Sequence, residues 1–247
     1  MSARVTIEGM SRRIYRRRRS TAITIIGLVI ALFLTYQSWS NLGTDSKTTP
    51  SEAVLSSSDQ PLARESLPKL IVKGRAPKTG YERAKFGSGW ETWRDCDTRQ
   101  RILARDLTEV KLGEDGCTVL SGQLNDPYTG TVMDFKRGSG TSSAVQIDHV
   151  VALSDAWQKG AQNWDAAKRE ALANDDLELL AVDGAANQQK SDGDAATWLP
   201  SNKVFRCQYV ARQIAVKLKY ELWVTQAEYD AMARVLDACP AQRLPAP

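Results

Sequence analysis

One imidazole occurs in 247 residues, and it directly follows a carboxylate, in Val145-Gln146-Ile147-Asp148-His149-Val150-Val151. A lone histidine cannot build the zinc sites of peptidases or carbonic-anhydrase-like enzymes, which take two or three imidazoles. It does supply one base whose unperturbed pKa lies near neutrality. Asp148 beside His149 at the end of a β-branched run has the form of a metal ligand next to a general base. A serine or cysteine hydrolase would have to share that histidine. No Gly-x-Ser-x-Gly occurs, and Cys96, Cys117, Cys207 and Cys239 are better explained as bridges. Two downstream asparagines complete the pattern: Asn174, ahead of Leu177-Glu178-Leu179-Leu180, and Asn187, in Asn187-Gln188-Gln189-Lys190.

These groups need a frame. The strand Val145–Val151 is entered through Lys136–Ser143, a loop of glycines, serines and a basic pair. Upstream, Arg99–Leu107 reads as a short helix with Ile102, Leu103 and Leu107 on one side. Asn125-Asp126-Pro127-Tyr128-Thr129 between Cys117–Leu124 and Gly130–Phe135 predicts a β-hairpin. Downstream, Asp165–Ala173 reads as helix, Leu179–Val182 as strand, and Asn187 as the start of another helix. Val210, Ile214 and Leu218 recur every four residues, and Thr225-x-x-Glu228 forms a capping box before Met232, Val235, Leu236 and Cys239. Two antiparallel helices joined near Trp223 follow. The class is α+β, a small sheet with several helices. The seven tryptophans read as core rather than stacking platforms, with Trp198 in a short helix.

Charge is unevenly placed. Residues 1–20 hold seven arginines and one glutamate, whereas from Leu67 onward there are 24 residues of each sign. The folded part is therefore near neutral, and any nucleic-acid contact must rest on a local patch. The arginines (1–20) read as a cytoplasmic tail, and 21–39, apolar at Ile23–Leu34, as a signal anchor or signal peptide. About 20 helical residues span the roughly 30 Å hydrocarbon core, with the basic side staying inside. Residues 40–66, rich in Ser, Thr, Asp and Pro, read as a flexible linker, and 67–247 as one domain. The domain is then outside the cytoplasm, membrane-held or secreted if the segment is cleaved. Four cysteines there make two disulfides, with three possible pairings. Cys96–Cys117 with Cys207–Cys239 is favoured because each would staple a local unit.

The order Asp-His, Asn before a Leu-x-Leu-Leu strand, and Asn-x-x-Lys at a helix resembles the HNH, or ββα-metal, nucleases. It is most similar to secreted bacterial proteins related to the C-terminal domain of GmrSD-type restriction endonucleases. The resemblance runs from about Tyr81 to Cys239, through Cys96-Asp97-Thr98-Arg99, Leu103-Ala104-Arg105-Asp106-Leu107, Asp126-Pro127-Tyr128-Thr129-Gly130, Leu179–Gly184 and Asp194–Pro200. It implies an HNH core with an added β-hairpin and C-terminal helices, hydrolysing phosphodiester bonds of DNA or RNA. His149 would be the general base, and Asp148 and Asn187 would hold a divalent ion. Oxygen donors with open positions suit Mg2+ or Mn2+ better than zinc. Asn174 would steady the loop and imidazole, and Lys190, Arg99 and Arg105 would meet phosphate. One register departs: the family's middle Asn stands where this chain has Asp176, so Asn174, Asp176 or backbone takes that place.

Each element has an ordinary alternative. A lone histidine at a strand end is commonly a satisfied residue, and Asn187 could be a helix N-cap. Arg101 and Arg105 are the only i,i+4 pair among the nearby arginines, and Asp95, Asp97 and Asp106 stand ready to pair with them. A non-catalytic cell-envelope binding protein on the HNH fold is the competing reading, favoured by the near-neutral domain and the displaced asparagine. No protein partner is inferable.

Overall fold

The structure, a computed structural model, describes residues 59–246. The basic tail, the expected anchor and most of the linker lie outside them. Among the described residues no helix is long and apolar enough to cross a membrane. The packed chain begins earlier than residue 67. Helix α1 (Ala63–Ser66) buries Ala63, Leu67 follows it into the core, and the Leu244 N–H donates to the Pro61 carbonyl at 2.9 Å. A Ser- and Pro-rich composition concealed these two apolar residues, which share a face at i,i+4.

A tight hairpin comes next, β1 (Thr92–Trp93) and β2 (Cys96–Asp97), its turn made by Arg94 and Asp95, both at positive φ. Asp97 caps α2 (Thr98–Asp106) by accepting the Gln100 N–H at 2.8 Å. Strands β3 (Leu107–Leu112), β4 (Val119–Asn125) and β5 (Val132–Lys136) form an antiparallel sheet in that order. The expected hairpin is β4–β5. Strand β3 carried no period-2 signal, because only Leu107 of its six residues is buried.

The remaining elements are β6 (Val145–His149), α3 (Leu153–Gln158), α4 (Ala166–Ala173), β7 (Leu179–Asp183), α5 (Gly184–Lys190), α6 (Arg206–Tyr220) and α7 (Gln226–Asp237). Strand β6 ends two residues short of the expected Val151, whose N–H is taken by the buried Glu178 carboxylate at 3.2 Å. Helix α5 opens at Gly184 rather than Asn187, because the Asp183 side chain accepts the Ala186 N–H at 2.7 Å. Asn187 is therefore inside the helix and not its cap. A Cβ at residue 184 would run into the Ser143 carbonyl oxygen, so the helix can approach β6 this closely only with glycine there. Trp198 directly follows a turn at residues 195–197 and is not in a helix.

Strands β6 and β7 pair antiparallel between two cores. On one side Val145, Ile147, Leu179 and Ala181 pack with Ile102, Leu103 and Phe135; on the other Leu180 and Val182 join the residues of α3, α6 and α7. The alternation along β7 is what a strand covered on both faces requires. Both disulfides have the favoured pairing, Cys96–Cys117 and Cys207–Cys239. The first ties the β1–β2 hairpin to the β3–β4 turn. The second joins the start of α6 to the segment after α7.

A buried ionic cluster, with no sequence signature, locks the helices together. Lys159 Nζ reaches Asp155, Asp194 and Glu228 at 2.7, 2.8 and 2.6 Å, and Lys217 meets Glu228 at 3.0 Å. Arg75 closes the set on Asp155 and Asp194 at 3.0 and 2.7 Å. Three cations face three carboxylates, so the charge is compensated where water cannot help. The capping box is thus half realised. Thr225 accepts the Glu228 N–H at 3.2 Å, but the Glu228 carboxylate turns inward to the lysines.

Candidate active site

His149 pairs with Leu179 and Asp148 with Leu180 at the end of the β6–β7 ladder, and α5 follows β7 without a loop. This strand–strand–helix arrangement places Asp148, His149 and Asn187 on one cleft of about 660 Å3, together with Gln146 and Arg99.

The imidazole is held from two sides. Trp90 stacks on it, the rings 5.7 Å apart and 12° from parallel, and Nε2 lies 3.0 Å from the Ala173 carbonyl oxygen. A carbonyl only accepts, so Nε2 carries the proton and Nδ1 is left with its lone pair. Burial pushes the His149 pKa down to about 3, the Arg83 charge acts in the same direction, and the Ala173 carbonyl opposes both. The ring is neutral at physiological pH.

Asp148 is buried and accepts from two side chains, the Tyr128 hydroxyl on Oδ2 and Lys190 Nζ on Oδ1 at 3.0 Å, and from the His149 backbone N–H. Burial raises its pKa, and Lys190 and the Tyr128 hydroxyl oppose that rise. Lys190 corrects an expectation. Its ammonium does not face solvent but sits fully buried, bonded to Asp148 and, at 2.8 Å, to the His149 carbonyl. It fixes the Asp-His pair from behind and is not placed to meet phosphate.

Asn174 caps α4 from a buried position. Its Oδ1 accepts the Glu91 N–H at 2.8 Å, and its Nδ2 donates to the Glu170 carbonyl at 3.1 Å. It thereby anchors the segment carrying Trp90, and it neighbours the Ala173 carbonyl that holds His149. Asp176, the competing candidate, is exposed and pairs with Arg101 at 3.1 Å. Of the two, Asn174 is the one beside the imidazole. Arg99 lines the cleft, its guanidinium donating to the Ser142 and Val145 carbonyls at 3.1 and 3.0 Å. Arg105 is absent from the cleft wall. It is spent on the Asp106 carboxylate and on the Asp176 and Leu179 carbonyls, so it is not available to substrate there.

Among the described residues no three His, Cys, Asp or Glu side chains cluster to hold an ion. A smaller donor set does fit a hard divalent cation. Asn187 Nδ2 is fixed by Gln146 Oε1 at 2.9 Å, and no described residue donates to its amide oxygen. The Asp148 carboxylate accepts from the Tyr128 hydroxyl, Lys190 and the His149 backbone N–H, which leaves lone-pair capacity for another partner. One carboxylate and one amide oxygen, with waters completing the shell, is the kind of set Mg2+ accepts.

Three contributors escaped the sequence. Trp90 read as core, yet its ring covers the imidazole. Tyr128, within Asp126-Pro127-Tyr128-Thr129-Gly130, reaches Asp148 across the fold. Arg83 shares the cleft wall with His149, and only folding brings a residue 66 positions away beside it.

Residues 97–235 match the family model described as GmrSD restriction endonucleases, C-terminal domain. A protein of Arthroderma benhamiae, described as an uncharacterized secreted protein, is 36% identical over 179 residues, covering 72% of this chain and 84% of the relative. No solved structure matches the chain.

Proposed function

Because this chain belongs to the family of the GmrSD restriction endonuclease C-terminal domain, we propose that it is an extracytoplasmic, metal-dependent HNH-type nuclease hydrolysing DNA or RNA. The observation that carries the reading is the His149 geometry. Its proton is committed to the Ala173 carbonyl, its charge is suppressed by burial, and its Nδ1 lone pair is left to take a proton. His149 Nδ1 accepts the proton of the attacking water. An incoming phosphodiester brings negative charge towards the ring and raises its proton affinity as the reaction needs it. Trp90 and the Ala173 carbonyl fix the ring plane, and Asn174 fixes the segment that carries Trp90. Lys190 and Tyr128 hold the Asp148 carboxylate. Asp148 and Asn187 would hold a divalent ion, Mg2+ or Mn2+, which relieves charge on the phosphate and the departing oxygen when bound.

The two disulfides and the secreted relative support the extracytoplasmic compartment. Residues 21–39 would serve as signal anchor or cleaved signal peptide, with the arginine tail inside.

The test is incubation of the full-length, oxidised chain with supercoiled plasmid and with RNA, in Mg2+ or Mn2+. Nicking or cleavage that EDTA abolishes, and that a folded His149→Ala variant lacks, is the expected result. Full activity in His149→Ala would overturn the mechanism. Nucleic-acid binding without cleavage under any of these conditions would favour the non-catalytic envelope protein instead.

A further inference from the structure

Beyond the imidazole lies a second cavity, of about 370 Å3, walled by Ala84, Phe86, Trp90, Leu153 and the Gly87-Ser88-Gly89 loop. It is distinct in character from the polar cleft that holds Asp148 and Asn187, yet the two share a rim. Arg83, Trp90, His149 and Leu153 line both. A ligand bound at that rim can send one part into each. The volume lies within the range of small-molecule sites, and the wall is mainly apolar and aromatic with a few polar groups.

Arg83 supplies the second observation. It is exposed, and no described residue forms a hydrogen bond or ion pair with it. The other cations near the site are committed. Arg99 donates to two carbonyls, Lys78 pairs with Asp192 at 2.9 Å, and Lys190 is buried against Asp148. A guanidinium left without a partner at the rim shared with a neutral imidazole is a site for an anion, and its planar fork suits phosphate oxygens.

Resting on the nuclease reading of His149, we propose that this cavity is a nucleotide subsite that takes one unpaired base, with Arg83 on the adjoining phosphate, so that the substrate is single-stranded or locally unpaired nucleic acid. A stacked, paired base presents only its edge in a groove and cannot enter a walled cavity; it must leave the duplex first, at a cost of a few kcal/mol. Trp90 gives an unstacked base the aromatic surface it loses, without selecting its identity, and the buried Phe86 closes the apolar wall. The phosphate at the rim would then lie beside Arg83 and His149, and the strand would continue along the Asp148–Asn187 cleft. Arg83 and Trp90 both precede residues 97–235, so the subsite is walled in part by this chain's own N-terminal segment and not only by the family-matched region.

The experiment measures binding separately from cleavage. Fluorescence anisotropy in EDTA would compare a labelled single-stranded oligonucleotide with the same sequence as a duplex, on the full-length oxidised chain. Wild type should bind the single strand about tenfold or more tightly, the range expected from one stacked base. Ser88→Trp, which places an indole from an exposed loop position into the cavity, should erase that preference. Arg83→Ala should weaken single-strand binding about tenfold, with Arg83→Lys recovering part of it. Equal affinity for the two forms, no binding to either, or an unchanged preference in Ser88→Trp at unchanged thermal stability would overturn the subsite. Retained preference in a protein that never cleaves would refute the nuclease reading while leaving the subsite standing. Cleavage without preference would do the reverse.

Discussion

Replacing Lys190 by methionine separates two roles that a lysine in an Asn-x-x-Lys motif can have. In the structure its ammonium lies 3.0 Å from Asp148 Oδ1 and 2.8 Å from the His149 carbonyl, with neither charged side chain appreciably exposed. Lys190→Met fills similar volume, so little is lost in packing. It leaves the Asp148 carboxylate buried without its counter-charge, supported by the Tyr128 hydroxyl and the His149 backbone N–H alone. Removing one partner of a buried ion pair costs about 3–5 kcal/mol. Against a total stability of about 5–15 kcal/mol, that is a large fraction. Asp148→Asn in the same background removes the stranded charge, so the double variant should recover at least about 2 kcal/mol of the loss, a coupling expected only of groups in contact. The assay is urea unfolding at neutral pH in EDTA for wild type, both single variants and the double variant. A lysine serving phosphate would give the opposite pattern: stability within about 0.5 kcal/mol of wild type and purely additive effects. Either result in the metal-free protein would refute the assignment of Lys190 as the support of Asp148.

Three further outcomes follow from the same geometry. Asn174→Ala should lower the cleavage rate by tenfold or more and cost about 1–2 kcal/mol, since it strands the Glu91 N–H; Asp176→Ala, which breaks an exposed pair, should change stability by less than about 1 kcal/mol and leave the rate intact, as paired kinetics and unfolding would show. Burial alone would raise the Asp194 pKa, but Lys159 and Arg75 outweigh it and bring the group from 3.8 to about 2. A depressed folded-state pKa gives stability that is complete above 3.8 and lost as pH falls through about 2, worth about 2 kcal/mol, and Asp194→Asn should flatten that limb of an acid-unfolding series. Opening Cys96–Cys117 with a double serine replacement should cost about 3 kcal/mol by the loop-entropy relation for a 21-residue separation, read from denaturation midpoints.

The residues legible in the sequence are those whose signal is local. Asp148-His149, the apolar strand Leu179–Val182, the four-residue period of α6 and the Thr225 cap all depend on near neighbours, and each stands where the pattern places it. Local pairing of cysteines was favoured for the same reason. Readings failed where distant partners decide the outcome. The resemblance of Asn187-x-x-Lys190 to the family motif points Lys190 at phosphate; a carboxylate 42 residues away claims it instead. Arg105 is expected at phosphate, but Asp106 and the Asp176 and Leu179 carbonyls absorb it. Glu228 fits a capping box, but Lys159, just past the end of α3, and Lys217 of α6 turn it inward. Trp90 had no periodicity to assign it, and only folding lays it on the imidazole.

The near-neutral charge of the domain, which at first counted against nucleic acid, becomes a quantitative statement once the ion pairs are placed. Proteins that track duplex DNA neutralise many phosphates, and their affinity falls steeply with salt. Along this cleft the cations are Lys78, Arg83 and Arg99, and Lys78 is already balanced by Asp192. Arg83 has no hydrogen-bond or ion-pair partner among the described residues, and Arg99, although its Nη2 is held by the Ser142 and Val145 carbonyls, still brings its charge to the cleft, so about two phosphates can be met. For a single strand that corresponds to a slope of log affinity against log salt near −1.4, taking about −0.7 for each contact. Arg83→Ala should bring it to about −0.7. Apolar contact with a base would then provide much of the affinity and persist at high salt. Titrations of the single-stranded oligonucleotide between low and high salt measure the slope directly. A value steeper than about −4 would require a basic track that the cleft does not have, and would move substrate recognition away from His149.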